Sequence, residues 1–380
     1  MKKLLIVSDS FYPRWDGISK FLINLIPKLK EKYEISLIVP NYAHLKSKKQ
    51  GNIDSVLEGV KIYYQNVSQK EYNGYNLSKP RIQTMIRAIR DADFLFIQTI
   101  GPLGALSIIL SKILRKKSFY YMHSIEWLLF SYSVDNNKKL VYKATKFLSF
   151  FLHNLTSKVI VPSSEVKYLL KNNGIHRTQV IHVGIILENY EKGYKKNLFY
   201  GDDKFTIGYV GRIAREKDLK TLYLGFKRFS KEYPSRLVIV GDGDQSIKKY
   251  FEDKENVMLL GQRDDADKIY STFDVFALAS LTETTSLVTL EAMASRVPVV
   301  VTPVGYMKYY INDEENGLFF KVKDPYTLYA TLKKIYKNKA LKDKLIINAY
   351  KTVKELFNFD LLVQDFIQLF ESETNGKKNR

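Results

Sequence analysis

Two segments in the second half of the chain carry residue types that bind phosphate and sugar. In GYVGRIAREKD (208–218), an apolar run ends at Gly211 and is followed by Arg212, Arg215 and Lys217 ahead of a predicted helix. Cations beside a helix N-terminus form a phosphate site, because a guanidinium offers a fork of donors and the helix adds unpaired N–H groups. A solvated loop with surface charges is an equally good interpretation of this spacing taken alone.

The second segment is TETTSLVTLEAMA (282–294). Its hydroxylic residues stand directly before an apolar helical run, which predicts a helix start with Thr285 or Ser286 as the N-cap and an N-terminus that suits an anion. Glu283 then lies on the loop at the mouth of the helix, and Glu291 lies two turns inside it. The two carboxylates suit hydrogen bonds from sugar or ribose hydroxyls, although glutamates at this spacing are also typical of a plain helix surface.

The first half of the chain offers His123, which follows the aromatic run FYYM (119–122). Taken by itself, such a residue is more often a hydrogen-bonded histidine at the end of a buried strand than a catalytic group. Tyr121 and Glu126 are the nearby polar groups that we expect to orient its ring.

Composition excludes several kinds of site. The chain has no cysteine, which excludes disulfides, thiolate metal sites and cysteine nucleophiles, and no two of its five histidines have the HExxH spacing. The strings Asp91-Ala-Asp93 and Asp242-Gly-Asp244 are explained by turn chemistry. We therefore predict no metal site and no cofactor.

Short apolar runs alternate with longer helical patterns along the whole chain, which predicts parallel sheets. The predicted strands of the first half are 4–7, 35–39, 60–64, 94–98, 118–122 and 159–161, and its predicted helices are 18–32, 79–90, 103–115, 140–156 and 164–172. The second half repeats the pattern with strands 205–210, 236–240, 257–260, 275–279 and 299–302 and helices 219–232, 245–251, 266–272 and 287–295. Because ligands of open parallel sheets bind outside the carboxyl ends of the strands, we expect two Rossmann-like α/β domains that face each other across a cleft.

The domain boundaries follow from composition. A polar segment with two glycines and no hydrophobic period predicts a linker at 191–203. It separates a first domain at 1–190 from a second at 204–355, and 356–380 is the closing segment.

The charge is concentrated in the first half. Residues 1–200 contain 31 Lys and Arg against 14 Asp and Glu, a net charge of +17, whereas residues 201–380 have a net charge of only +3. This asymmetry suggests an anionic partner for the first domain, and a lysine-rich soluble surface is the alternative. The apolar run at 4–7 is too short for a signal peptide and no segment reaches the roughly 20 apolar residues that span a bilayer, so we expect a cytoplasmic protein.

Two helical patterns in this basic half suit an anionic membrane surface. The segment 103–117 ends in KILRKK, and the segment 138–158 places Lys139, Lys143 and Lys146 among Phe147, Leu148, Phe150, Phe151 and Leu155. A basic helix that bears aromatic residues is typical of peripheral membrane binding. The alternative is that both are crossover helices, each of which needs one apolar face to pack on the sheet.

Several segments, in this order and spacing, resemble the GT4-type retaining glycosyltransferases of the GT-B fold. They are GYVGRIAREK (208–217), VGDG (240–243), DVF (274–276), the two glutamates Glu283 and Glu291, LEAMA (290–294) and PVV (298–300). In the first domain, FYPRWDGIS (11–19), IQTIGPLG (97–104) and MHS (122–124) also resemble the family, and FNFD (357–360) resembles its closing segment, which crosses back to the first domain as a helix. The resemblance covers nearly the whole chain and assigns acceptor binding to the first domain and nucleotide-sugar binding to the second.

The resemblance implies a role for each matching residue. Arg212 and Lys217 are expected to bind the donor diphosphate, Glu291 the ribose and Glu283 the donor sugar. The backbone of Thr284, Thr285, Ser286 and Leu287 is expected to surround that sugar, with Gly17 near the donor phosphates and His123 near the sugar. The chain departs from the family pattern in three places: Asp16-Gly17 stands for Gly-Gly, ETTS (283–286) stands for Glu-Gly-Phe-Gly, and Val183-Gly184 stands for Asn-Gly.

The resemblance therefore predicts an enzyme that moves a hexosyl group from a nucleoside-diphosphate sugar to an acceptor hydroxyl, with retention and without a metal. A lipid or lipid-linked glycan is the acceptor class that the basic helices favour. A nucleotide-sugar epimerase of the same fold is one alternative. A basic nucleic-acid-binding protein is another, since the pI is near 9.5 and 27 tyrosines are available for stacking, but we find no recognition module and expect no nucleic-acid partner.

Overall fold

The computed structural model describes residues 1–14, 16–42, 53–72, 75–127, 137–191, 203–263 and 265–375. The chain divides into two compact units: unit 1 comprises Met1–Ile181 and Val363–Arg380, and unit 2 comprises His182–Leu362. The sequence placed the corresponding boundaries at 190/191 and 355/356. The predicted linker at 191–203 lies outside the described residues except at its two ends.

Unit 1 is built on one sheet. Its described strands are β1 (Lys2–Val7), β2 (Tyr33–Pro40), β3 (Lys61–Tyr72), β4 (Tyr75–Lys79), β5 (Phe94–Ile97), β6 (Lys117–Tyr121), β7 (Lys158–Val161) and β8 (Thr178–Val180). They lie in the order β4-β3-β2-β1-β5-β6-β7-β8, and every neighbouring pair is parallel except β3 and β4. The central strands are continuous apolar runs with no solvent-exposed surface at Leu4–Val7 or Phe94–Ile97. Such runs are typical of parallel strands covered on both faces.

Helices cover this sheet. In the described part of unit 1 they are α1 (Gly17–Lys30), α2 (Ile53–Leu57), α3 (Ile82–Asp91), α4 (Pro102–Ile113), α5 (Lys138–Leu155) and α6 (Ser164–Lys171). The last helix of the chain, Phe359–Asn375, belongs to unit 1 from Val363 onward. Its Phe370 ring packs 5.0–5.3 Å from the rings of Phe94, Phe96 and Phe119, and Glu373 pairs with Lys117 and Lys158.

Unit 2 repeats the alternation. Its described strands are β9 (Phe205–Val210), β10 (Ser235–Val240), β11 (Val257–Gly261), β12 (Val275–Leu278), β13 (Val299–Val301) and β14 (Leu318–Phe319). Its helices are α7 (Glu188–Glu191), α8 (Leu219–Phe229), α9 (Gln245–Glu252), α10 (Ala266–Ile269), α11 (Leu287–Ala294), α12 (Met307–Tyr310), α13 (Pro325–Lys337) and α14 (Lys339–Leu356), and α15 is the helix Phe359–Asn375 named above. Two 3₁₀ turns, Arg215–Lys217 and Tyr270–Thr272, precede α8 and β12.

The described strands of unit 2 lie in the order β11-β10-β9-β12-β13-β14 and are all parallel. This is the strand order of a Rossmann-like sheet, whose direction of progression reverses between β9 and β12. Ligands of such sheets bind beyond the carboxyl ends of the strands at that point.

The predicted fold class of two Rossmann-like parallel-sheet domains is confirmed, and the predicted strands all form. The apolar pattern of the sequence did not predict β4, β8 or β14. β4 is an antiparallel edge strand with the polar sequence YNLSK, and β8 and β14 are only three and two residues long, so none of them shows an apolar run. Among the described residues, no helix is both long enough and apolar enough to cross a bilayer.

Candidate functional site

The main chain of the loop after β9 is held by a close backbone approach and by one side-chain hydrogen bond. Gly241, at the end of the neighbouring strand β10, has φ 143°, and a Cβ there would lie 1.8 Å from the carbonyl oxygen of Gly211. The hydroxyl of Tyr209 donates to the carbonyl of Arg212 over 2.7 Å. These contacts fix the main chain from which the Arg212 side chain leaves the carboxyl end of β9.

Arg212 keeps its guanidinium accessible. Its side chain is 59% exposed and pairs with Glu216 one turn later. Glu216 is tied in turn to the loop after β12, because its carbonyl accepts the N–H of Leu281 at 2.8 Å. Burial, followed by the charges of Glu283 and Glu216, raises the pKa of Tyr209.

Lys217 and Glu283 form the centre of the site. The Nζ of Lys217 donates to Oε1 of Glu283, and the two side chains are only 16% and 10% exposed. The hydroxyl of Ser280 donates to the same oxygen at 2.8 Å, and the Ser280 carbonyl accepts from Thr302 at 2.6 Å. The pair thus joins the loop after β9 to the loop after β12, at the point where the strand order reverses.

The backbone of Thr284 and Thr285 is held from one side. The N–H of Tyr306 donates to the Thr284 carbonyl at 2.7 Å, and the Tyr310 hydroxyl donates to the Thr285 carbonyl at 2.8 Å. Gly305 has φ 58°, and a Cβ there would lie 2.2 Å from the Glu283 carbonyl oxygen. The carbonyls of this loop are therefore occupied by the segment after β13.

The start of α11 differs from the sequence-based prediction. Ser286 is the N-cap residue, as one of the two predictions had it, but its φ is 62° and its hydroxyl does not cap a backbone N–H. The hydroxyl lies instead 2.9 Å from that of Thr289, while Thr285 Oγ1 is buried without a described partner. The backbone bonds begin with Thr289 N–H to the Ser286 carbonyl, so by the general rule the amides of Leu287 and Val288 have no intrahelical acceptor.

Glu291 lies in the middle of α11 and is held by tyrosines. The Tyr270 hydroxyl donates to Glu291 Oε2 at 2.6 Å. Burial, followed by the charge of Glu291 and a hydrogen bond to it, raises the pKa of Tyr190. Burial, followed by the charge of Glu291, likewise raises the pKa of Tyr270. Both tyrosines therefore stay protonated at neutral pH and can donate to Glu291.

In unit 1, Gly17 is the first residue of α1, and apart from its chain neighbours and the helix's own backbone no described atom lies within 4 Å of a Cβ built on it. The preceding Asp16 caps the helix, since its Oδ1 accepts from Ile18 and Ser19 at 3.0 and 2.9 Å. Arg14 Nε lies 3.3 Å from Asp16 Oδ2. Where the resembling family has glycine, this chain thus has a carboxylate that fills the first-turn donors of α1.

His123 follows β6 and is hydrogen-bonded to Gln98, the residue after β5, with 2.9 Å between Nε2 and Oε1. Its ring packs edge-on against Tyr121 and Phe21, 4.7 and 5.2 Å away. Burial lowers the pKa of His123 to about 4, against a smaller opposing effect of Asp16. The imidazole is therefore neutral at pH 7.

The predicted role of Glu126 in orienting His123 is wrong. Glu126 accepts from the Tyr120 hydroxyl and lies 3.7 Å from His153 Nε2, on the other side of the strand. Side chains alternate between the faces of a strand, which explains why Tyr121 touches His123 and Tyr120 does not. Gln98 is the partner that sequence reasoning missed, and only the pairing of β5 with β6 brings it there.

The structure brings together Lys217, Glu283 and the loop 284–287, and it places Arg212 in the same neighbourhood. Glu291 lies further along α11, and Gly17 and His123 belong to unit 1. Gly305, Tyr306 and Tyr310 complete the loop but have no motif of their own, because their role depends on the position of β13.

Among the described residues, no group of three or more His, Asp or Glu side chains is arranged to hold a metal ion. Asp93 accepts from the Lys3 backbone N–H at 2.7 Å, and Asp91 pairs with the Lys3 ammonium. Asp242 pairs with Lys248, and Asp244 caps α9. Turns, caps and ion pairs account for both Asp-x-Asp strings.

Comparison with known proteins gives the family. The family model described as "Glycosyltransferase Family 4" matches residues 15–189, and the one described as "Glycosyl transferases group 1" matches residues 191–352. Together they take in most of the chain, which therefore belongs to the GT4 family of glycosyltransferases.

The chain is 27% identical over 187 residues to the uncharacterized glycosyltransferase MJ1607 of Methanocaldococcus jannaschii, and the match spans about half of each chain, 47% in both cases. It is 27% identical over 346 residues to the alpha-monoglucosyldiacylglycerol synthase of Acholeplasma laidlawii, over 83% of this chain and 84% of that protein. Among solved structures, HepE of Anabaena in complex with UDP-glucose superposes with a TM-score of 0.76 at 17% identity, over 98% of this chain and 100% of HepE. This likeness shows the GT-B fold.

Proposed function

We propose that this protein transfers a hexosyl group from a nucleoside-diphosphate sugar to an acceptor hydroxyl, with retention at the anomeric carbon. The observation that supports this most is the pairing of Lys217 with Glu283 at the point where the strand order of unit 2 reverses, next to the N-terminus of α11. A cation, a carboxylate and amide donors then lie at the carboxyl ends of β9 and β12. These groups match a diphosphate that carries a sugar.

In the proposed reaction, the bond between the anomeric carbon and the diphosphate oxygen breaks, and negative charge grows on that oxygen. Arg212, Lys217 and the first amides of α11 stabilise this charge where it develops. The acceptor hydroxyl forms the new bond on the same face of the sugar and passes its proton to the diphosphate oxygen that leaves. Glu283 holds the sugar and Glu291 the ribose. The proposal keeps the roles that the family resemblance implies for Gly17, toward the phosphates, and for His123, toward the sugar as a neutral group.

The acceptor that we propose is a lipid or lipid-linked glycan, reached at a membrane surface. The name of the Acholeplasma laidlawii relative refers to a glycolipid, and that relative matches most of this chain. The basic first half of the chain supports the same class of acceptor, since anionic lipids attract such a surface.

Incubation of the protein with a panel of nucleotide sugars, starting with UDP-glucose, tests the reaction. We expect release of the nucleoside diphosphate that depends on added acceptor, with diacylglycerol dispersions more effective than soluble glycosides, and an α-linked product by NMR. Conversion of the donor to a different nucleotide sugar without acceptor would instead show an epimerase. No binding of any nucleotide sugar by calorimetry would refute both.

A further inference from the structure

Helix α5 carries apolar side chains on two faces. Tyr142, Phe150 and Leu152 belong to or pack against the core of unit 1. On the opposite face, the exposed fractions are 67% for Leu140, 76% for Phe147, 48% for Leu148 and 51% for Phe151. A helix that only crosses over a sheet needs one apolar stripe. The second stripe has no explanation in the packing of the part of unit 1 that the structure describes, and exposed apolar patches mark interaction sites.

The neighbouring helix α4 also exposes apolar side chains. α4 packs against α5, and its Ile109 and Ile113 are 37% and 68% exposed. We refer to Ile109, Ile113, Leu140, Phe147, Leu148 and Phe151 as the α4–α5 face.

The charges on these two helices have one sign. Neither α4 nor α5 contains an acidic residue, and together they carry five lysines, Lys112, Lys138, Lys139, Lys143 and Lys146. Lys139 and Lys143 are exposed on α5, and Lys146 lies over the rings of Tyr142 and Phe150 at 5.7 and 5.4 Å. Exposed aromatic residues among lysines fit the boundary between headgroups and acyl chains of an anionic bilayer. A second copy is a poorer partner, because an isologous contact through this face would oppose like charges.

We propose that the α4–α5 face docks the protein on an anionic phospholipid bilayer. Phe147 and Phe151 enter the acyl boundary, while Lys139 and Lys143 contact lipid phosphates. All the residues of the proposed docking surface belong to unit 1. It deepens the proposed function, because it gives the enzyme access to a lipid acceptor.

Co-sedimentation of the full chain with vesicles, without nucleotide sugar, tests the docking separately from catalysis. We expect binding to vesicles of phosphatidylglycerol and phosphatidylcholine and no binding to pure phosphatidylcholine. Each of Phe147→Ser and Phe151→Ser should weaken binding about tenfold, and each of Lys139→Gln and Lys143→Gln about fivefold.

Matched controls lie elsewhere on the surface. Ile347→Ser changes a side chain that is 63% exposed on α14, and Lys167→Gln with Lys171→Gln removes two exposed charges from α6. All three should leave binding unchanged. Emission of a Phe151→Trp variant should shift to the blue and be quenched by brominated lipid, whereas that of Ile347→Trp should not.

Several results would overturn the proposal. The first is absence of wild-type binding to the anionic vesicles, and the second is equal binding by the Phe147→Ser and Ile347→Ser variants. The third is a change of oligomeric state in Phe147→Ser with vesicle binding unaltered, which would assign the face to a second copy. Thermal unfolding checks that each variant is folded, and calorimetric binding of the nucleotide sugar shows whether a failure concerns docking or the reaction.

Discussion

The ion pair between Lys217 and Glu283 has two roles that a double-mutant cycle separates. In Lys217→Met, the Glu283 carboxylate, which is 10% exposed in the wild type, keeps the Ser280 hydroxyl as its remaining hydrogen-bond donor among the described side chains. Removing one partner of a buried pair costs about 3–5 kcal/mol, and we expect about 3 kcal/mol because both side chains still reach solvent. The same variant lacks the cation that faces the leaving diphosphate, so its turnover should fall by roughly 10²–10³-fold.

In the double variant Lys217→Met/Glu283→Gln, the uncompensated charge is gone. The free energy of unfolding should therefore recover, with a coupling of about 2 kcal/mol relative to the sum of the single variants. Turnover should not recover, because neither the cation nor the carboxylate is restored.

Urea unfolding followed by far-UV circular dichroism gives the stabilities, and release of nucleoside diphosphate gives the turnover. Recovery of turnover together with stability would show that Lys217 acts only by holding Glu283. Additive stabilities, with no coupling, would show that the two side chains do not form the pair.

Three further predictions concern the surroundings of the site. Tyr310→Phe removes the hydroxyl that donates to the Thr285 carbonyl, a hydrogen bond worth about 1 kcal/mol, so kcat/KM for the donor should fall about fivefold. The control Tyr309→Phe changes an exposed neighbour and should leave kcat/KM unchanged. Equal kcat/KM values in the two variants would refute the role of this hydrogen bond. Gly305→Ala should lower the free energy of unfolding in urea by about 2–3 kcal/mol, because it combines a left-handed φ with a clash against the Glu283 carbonyl. The control Gly59→Ala, at φ 71° with open space around it, should lower it by about 1 kcal/mol. Similar losses in the two variants would show that the loop at Glu283 moves to make room for the added methyl group. Burial lowers the pKa of His123 to about 4, whereas an unfolded histidine titrates near 6.5. The unfolded state therefore takes up the proton first, and the free energy of unfolding should decline by up to about 3 kcal/mol as the pH falls from about 6.5 to about 4. Its NMR titration should have a midpoint near 4, and a midpoint at 6.5 would contradict the burial.

The central strands of both sheets were predictable because a parallel strand covered on both faces is a continuous apolar run, as in Leu4–Val7 and Val275–Leu278. The position of α11 was predictable from its hydroxylic start. The backbone of Ser286, with a φ of 62°, was not, because it follows a loop whose Thr284 and Thr285 carbonyls accept from Tyr306 and Tyr310, which are distant in sequence.

Side-chain contacts that depend on the pairing of strands distant in the sequence were also not predictable. Gln98 reaches His123 only because β5 lies beside β6, and Tyr310 reaches Thr285 from the segment after β13. The exposed apolar stripe of α5 illustrates the same limit. Its composition was visible in the sequence, but which of its phenylalanines face the core and which face solvent depends on how the helix lies on the sheet.

Turnover of the Arg212→Ala variant tests the central claim most directly, namely that fixed cations of unit 2 bind the diphosphate of a nucleotide sugar. Because the Arg212 side chain is 59% exposed, its removal should change stability by less than about 0.5 kcal/mol. Turnover should nevertheless fall by roughly 10²–10³-fold, while Arg177→Ala, which removes an exposed arginine that precedes β8 in unit 1, keeps nearly full activity. Wild-type turnover in Arg212→Ala, or an equal loss in Arg177→Ala, would contradict the assignment of the diphosphate to this site.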